Sequence, residues 1–76
     1  MNIEELISNI AGQLNRHDPS KLSPDTVLRD IEGWSSLESL FVLLMVDDVY
    51  KITLTGDDIT ESTTIRDLYN IIKSRK

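Results

Sequence analysis

The sequence predicts an all-α protein: a four-helix bundle of three longer helices and one short one, with a long loop between the first and second. Apolar residues recur at three- and four-residue steps in separate segments. Cap-forming residues stand ahead of those segments, and no segment reads convincingly as a strand.

In the first segment Ile3, Leu6, Ile7, Ile10 and Leu14 share one face, with Glu4, Glu5, Ser8 and Gln13 between them. Asn2, with Glu5 three residues on, supplies a capped start. Residues 16 to 35 hold both prolines and one of the three glycines, and read as a long connection. A loop of this length needs anchors, which Leu22, Val27, Leu28 and Ile31 provide; Ser23-Pro24-Asp25 caps one short turn within it.

The second helix starts at Ser35 or Ser36 and runs to about Tyr50. Ser35-Ser36-Leu37-Glu38 fits a capping box, and no glycine or proline follows before Gly56. Lys51 to Gly56 is a connector, and Asp57-Asp58-Ile59 forms a one-turn helix with acids near its positive end. Thr63 caps a last helix whose Ile65, Leu68, Tyr69 and Ile72 lie on one face. The whole chain, residues 1–76, is expected to form one domain.

The second helix is apolar on two sides. At 100° per residue from Ser36, Val42, Leu43, Val46, Val49 and Tyr50 fall between about 220° and 340°, accompanied by Ser39. Leu37, Leu40, Phe41, Leu44 and Met45 fall between about 40° and 180°, where Asp48 and Lys51 interrupt them and Asp47 stands at the edge, near about 20°. Charges are costly to bury, which marks the second arc as outward. A domain of 76 residues has too little material to wrap such a helix completely, so this ridge is expected to be a docking surface for a partner.

Composition narrows the function. A chain this short buries only about 60% of the surface its unfolded form exposes, which disfavours a deep active site. Thirteen acidic against eight basic residues give a net charge of −5, the opposite of what a nucleic-acid binder needs. Cysteine is absent, which excludes disulfides and thiolate chemistry. The acidic start and the lack of any apolar run of roughly 18 residues predict a cytoplasmic protein without a membrane span, expected to be a monomer.

Gly33-Trp34-Ser35-Ser36-Leu37-Glu38 resembles the Asp-Ser-Leu attachment motif of acyl and peptidyl carrier proteins. The first helix, the Pro24-Asp25-Thr26 segment, the second helix ending in Asp47-Asp48 and Thr63-Thr64-Ile65 are similar to that family in order and spacing, so the resemblance spans essentially the whole chain. It implies an acyl-carrier-like bundle and a non-enzymatic carrier role. It also implies that Ser36 holds 4′-phosphopantetheine, taken from coenzyme A and joined by a phosphodiester, with acyl or aminoacyl groups borne as thioesters on the terminal thiol. The implied partners are a phosphopantetheinyl transferase, an acyl- or amino-acid-activating enzyme, and condensing or acyltransferase enzymes. Leu37, Glu38, Leu40, Phe41, Leu44, Met45, Asp47 and Asp48 would meet them.

Two positions depart from the family pattern. Ser35 stands where acyl carrier proteins usually have aspartate, which in the family helps the transferase position its metal and cofactor; peptidyl carriers often tolerate other residues there. Phe41 among leucines replaces the acids usual on the outer face of fatty-acid carriers. The expectation is therefore a discrete carrier in a specialised biosynthetic pathway, with an unmodified carrier-like interaction module as the alternative that Ser35 favours.

Catalysis by the chain itself is not expected. A serine nucleophile needs a base within hydrogen-bond reach and an oriented third group, and the sole histidine, His17, lies in the loop. His17-Asp18 reads as a surface or helix-end pair, and the acid pairs Glu4-Glu5, Asp47-Asp48 and Asp57-Asp58 diverge by 100° on a helix.

Overall fold

The computed structural model describes residues 2–14, 21–31 and 33–75 and, except at residues 13 and 14, their side chains. His17 and Asp18, and the side chain of Leu14, lie outside them. Among the described residues four helices follow in order: α1 (Ile3–Leu14), α2 (Ser36–Tyr50), α3 (Gly56–Glu61) and α4 (Ile65–Ser74), with a 3₁₀ turn at Leu28–Asp30 before α2. Among the described residues there is no strand, only an isolated antiparallel bridge between Val27 and Thr64.

The apolar stripes set the packing. α1 lies against α2 and α4, and α3 closes on the same two helices. Leu6 and Ile10 of α1, Val42 and Val46 of α2, and Ile65, Leu68 and Ile72 of α4 are completely buried. Each such side chain contributes about 1.5–3 kcal/mol, against a net stability of about 4–11 kcal/mol for a domain of this size. The bundle therefore depends on nearly every one of them.

The helix starts are fixed by side chains. Asn2 Oδ1 accepts the Glu5 N–H at 2.8 Å, as its spacing from Glu5 predicts. The cap of α4 is Thr64 rather than Thr63: Thr64 Oγ1 accepts the Asp67 N–H, and Asp67 accepts the Thr64 N–H in return. The reciprocal partner explains the difference, because Thr64 has an acid three residues on while Thr63 has Arg66. Thr63 instead gives its carbonyl to the Leu28 N–H. α3 opens with the same reciprocal box between Thr55 and Asp58. α2 ends on Lys51, which adopts left-handed backbone at φ 59° and donates its N–H to the Asp47 carbonyl.

The long loop is sewn to α4. A turn closes between Ser23 and Thr26, Arg66 N–H donates to the Pro24 carbonyl at 2.8 Å and Ile65 N–H to the Thr26 carbonyl at 3.1 Å. Arg66 Nε also meets Asp25 Oδ1 at 3.2 Å. Leu28 and Ile31 are buried, while Leu22 is half-buried against the core.

Asp58 stands in the first turn of α3, as expected of an acid near the positive end of a helix, but it does more than cap. It is buried, and its carboxylate is gripped by the Arg75 guanidinium, Nη2 to Oδ1 at 2.8 Å and Nη1 to Oδ2 at 2.5 Å. The Arg75 hydrogen bonds, followed by the Thr55 backbone N–H, hold this carboxyl well below the usual carboxylate range. Six residues make too short a helix to stand alone, and this pair ties the start of α3 to the end of α4.

A depressed folded pKa makes the stabilising contribution of Asp58 full above its unfolded value of 3.8; it is lost as the pH falls through that value toward the lower folded one. Melting temperatures measured from pH 7 to pH 2 are expected to place Arg75→Gln below the wild type at neutral pH, with the gap narrowing below about pH 4. A gap independent of pH would show that the pair does not couple α3 to proton uptake.

Candidate functional site

Ser36 is the first residue of α2, and the preceding backbone fixes where it points. The 3₁₀ turn hands on to Ile31, whose carbonyl accepts the Trp34 N–H at 3.0 Å. Gly33 turns the chain at φ 81°, a left-handed conformation that would cost another residue about 1–2 kcal/mol. Trp34 is half-buried against the core and anchors the loop. Ser35 then caps the helix in extended conformation, its Oγ accepting the Leu37 N–H, and its hydroxyl donates to the Glu38 carboxylate.

Ser35 therefore does the capping and Ser36 is left exposed. The Ser36 hydroxyl makes no hydrogen bond among the described residues. It stands at the positive end of a fifteen-residue helix, where the dipole favours a phosphate. An exposed, unengaged hydroxyl beside such a terminus fits a phosphodiester-linked arm and leaves it room to swing.

The outer face of α2 carries the apolar ridge. Leu37 is 54%, Leu40 47%, Phe41 38% and Leu44 57% exposed, and Asp47 and Asp48 are exposed beside them while Glu38 is half-buried. Met45 does not belong to this ridge: it is 5% exposed and sits in the core. At about 180° it lies on the border between the two arcs, and its flexible thioether turns inward. Val49 departs the other way and is exposed. The adjacent Tyr50 takes the inward position there, its hydroxyl accepting from Asn9 Nδ2 of α1 at 3.0 Å; burial raises the pKa of that phenol.

A cleft of about 170 Å³ is lined by Leu28, Arg29, Trp34, Ser39, Ile59, Thr60 and Ser62. It joins the loop, the first turn of α2 and the C-terminal end of α3. Periodicity placed Ser39 on the inner arc of α2 but could not reveal that α3 would face it across a gap.

Among the described residues no group of three or more histidine or acidic side chains could hold a metal, and no helix is long and apolar enough to cross a membrane. The division between ridge and core predicts unequal costs for neighbouring truncations. Met45→Ala is expected to destabilise the fold by about 2–5 kcal/mol, and Leu44→Ala by no more than about 0.5–1 kcal/mol. Urea denaturation of both variants checks this, and equal losses would contradict the burial of Met45.

No curated protein matches the chain. A family model described as a phosphopantetheine attachment site matches residues 4–72, which takes in all of α2 and α3, nearly all of α1 and most of α4. With the exposed serine at the head of α2 and the all-helical bundle behind it, the chain belongs to the phosphopantetheine-attachment family, the carrier domains to which 4′-phosphopantetheine is covalently joined.

Proposed function

We propose that this domain carries acyl or aminoacyl intermediates on a 4′-phosphopantetheine arm attached to Ser36, in a specialised biosynthetic pathway, without catalysing a reaction itself. The observation that carries the assignment is the exposure of the Ser36 hydroxyl at the start of α2, while Ser35 is engaged as the cap. The arm supplies the thiol on which the cargo is held. The chain's part is to hold the attachment point clear of the bundle and to present a surface to visiting enzymes.

That surface is the ridge of Leu37, Leu40, Phe41 and Leu44, with Glu38, Asp47 and Asp48 at its margins. Its apolar centre favours tight contact with an apolar groove, and the acids assist encounter with a basic rim. A transferase, a cargo-loading enzyme and condensing or acyl-transferring enzymes would each use it in turn.

Intact mass after incubation with coenzyme A and a broad-specificity phosphopantetheinyl transferase tests the reading. The wild type is expected to gain one phosphopantetheinyl group, Ser35→Ala to retain that gain, and Ser36→Ala to lose it. An unchanged wild-type mass would favour a carrier-like module that binds partners without modification. A gain that survives Ser36→Ala would place the attachment elsewhere.

A further inference from the structure

Of the four helices described, α3 is held by the least apolar packing. Only Asp58 and Ile59 of its six residues are buried, so a single apolar side chain anchors it, whereas α4 buries Ile65, Leu68 and Ile72. Its other fastenings converge on Asp58. Arg75, the cap of α4, grips both carboxylate oxygens. The Thr55 N–H donates to Oδ2 at 2.8 Å, and the Ser62 hydroxyl donates to the Asp58 carbonyl at 2.8 Å. At its C-terminal end the helix borders open space, where Ile59, Thr60 and Ser62 line the cleft of about 170 Å³ together with Leu28 and Trp34. Leu28 and Ile59 are also core residues, so displacement of α3 would carry the cleft inward among them.

We propose that α3 is a lid on this cleft and the ion pair between Asp58 and Arg75 its latch, so that parting of the pair releases α3 while α1, α2 and α4 stay folded. Segments with few buried apolar contacts are the ones that open locally, and a six-residue helix does not persist away from its neighbours. Release is therefore all-or-none: α3 detaches and unwinds in one event. The latch acts in two ways. Arg75 joins α3 to the end of α4, and it balances a carboxylate whose side chain is only 10% exposed. With Arg75 withdrawn, that carboxylate recovers a full set of partners only by reaching water, which drives the lid outward. The Arg75 side chain is 42% exposed, so the pair parts from the α4 side, where solvent and other molecules reach it. Opening of this kind does not require attachment at Ser36.

Amide hydrogen exchange in urea below the unfolding transition would be measured for the wild type, Arg75→Gln and Ile10→Val. In the wild type the Ile59, Thr60 and Glu61 amides are expected to exchange with weak urea dependence, and those of Val42, Val46 and Leu68 with the strong dependence of global unfolding. Arg75→Gln is expected to speed exchange in α3 about five- to tenfold. Ile10 is completely buried in α1. Its truncation in Ile10→Val is expected to speed exchange at Val42, Val46 and Leu68 but not in α3, because α1 keeps its packing in the open form. The sequence has no cysteine, so Ser62→Cys provides a single thiol on the cleft wall. Its reaction with a disulfide reagent is expected to accelerate by the same factor when Arg75→Gln is added.

Exchange of the α3 amides only together with the core, at the same urea dependence and with the same response to Ile10→Val, would overturn the lid. Unchanged α3 exchange in Arg75→Gln would overturn the latch. A thiol of Ser62→Cys whose reaction does not follow the α3 amides would show fraying of the helix without opening of the cleft, and would overturn the proposal as well.

Discussion

The constraint on which the rest of the structure depends is that α2 is apolar on almost every side and the bundle can cover only one of them. Val42, Val46 and Met45 are buried, while Leu37, Leu40, Phe41 and Leu44 face out. Leaving four large apolar side chains contiguous and exposed is unfavourable for a monomer in isolation and typical of surfaces that meet a partner. Ser36 begins the same helix, so whatever binds the ridge arrives close to its hydroxyl.

The remaining elements keep that arrangement fixed. The described residues of the loop before α2 hold little regular structure, yet their backbone is bonded to the start of α4 and the residue preceding its cap through Leu28, Thr26 and Pro24. Those bonds and the burial of Leu28 and Ile31 determine where Gly33 turns and hence where Ser36 emerges. At the opposite edge of the cleft, α3 is held by its capping box and by Arg75. Ser36 thus follows a loop anchored in backbone bonds, while α3 is anchored by an ion pair.

Much of this was legible in the sequence because it rests on local rules. The boundaries of α2 follow from Ser35 as a cap and from the absence of any breaker before Gly56, and the anchoring of the loop from its few apolar residues. What escaped depends on tertiary neighbours. Met45 and Val49 lie near the borders of the two arcs, where periodicity assigns a side only until a neighbouring helix decides it. Asp58 pairs with Arg75 seventeen residues away, a relation that no local pattern encodes. The caps at Thr55 and Thr64 were within reach, since each has an aspartate three residues on. The cleft between the loop, α2 and α3 arises from the approach of α3 to the loop, and nothing in either segment alone announces it.

The central claim is that partners meet this domain on the outer face of α2, around Ser36. Amide chemical-shift mapping of the labelled chain during titration with a phosphopantetheinyl transferase tests it most directly. The account predicts that the largest shifts fall on Ser36, Leu37, Leu40, Phe41 and Leu44, with α1 and α4 nearly silent. Shifts centred on α1 and α4, with the ridge unperturbed, would contradict it.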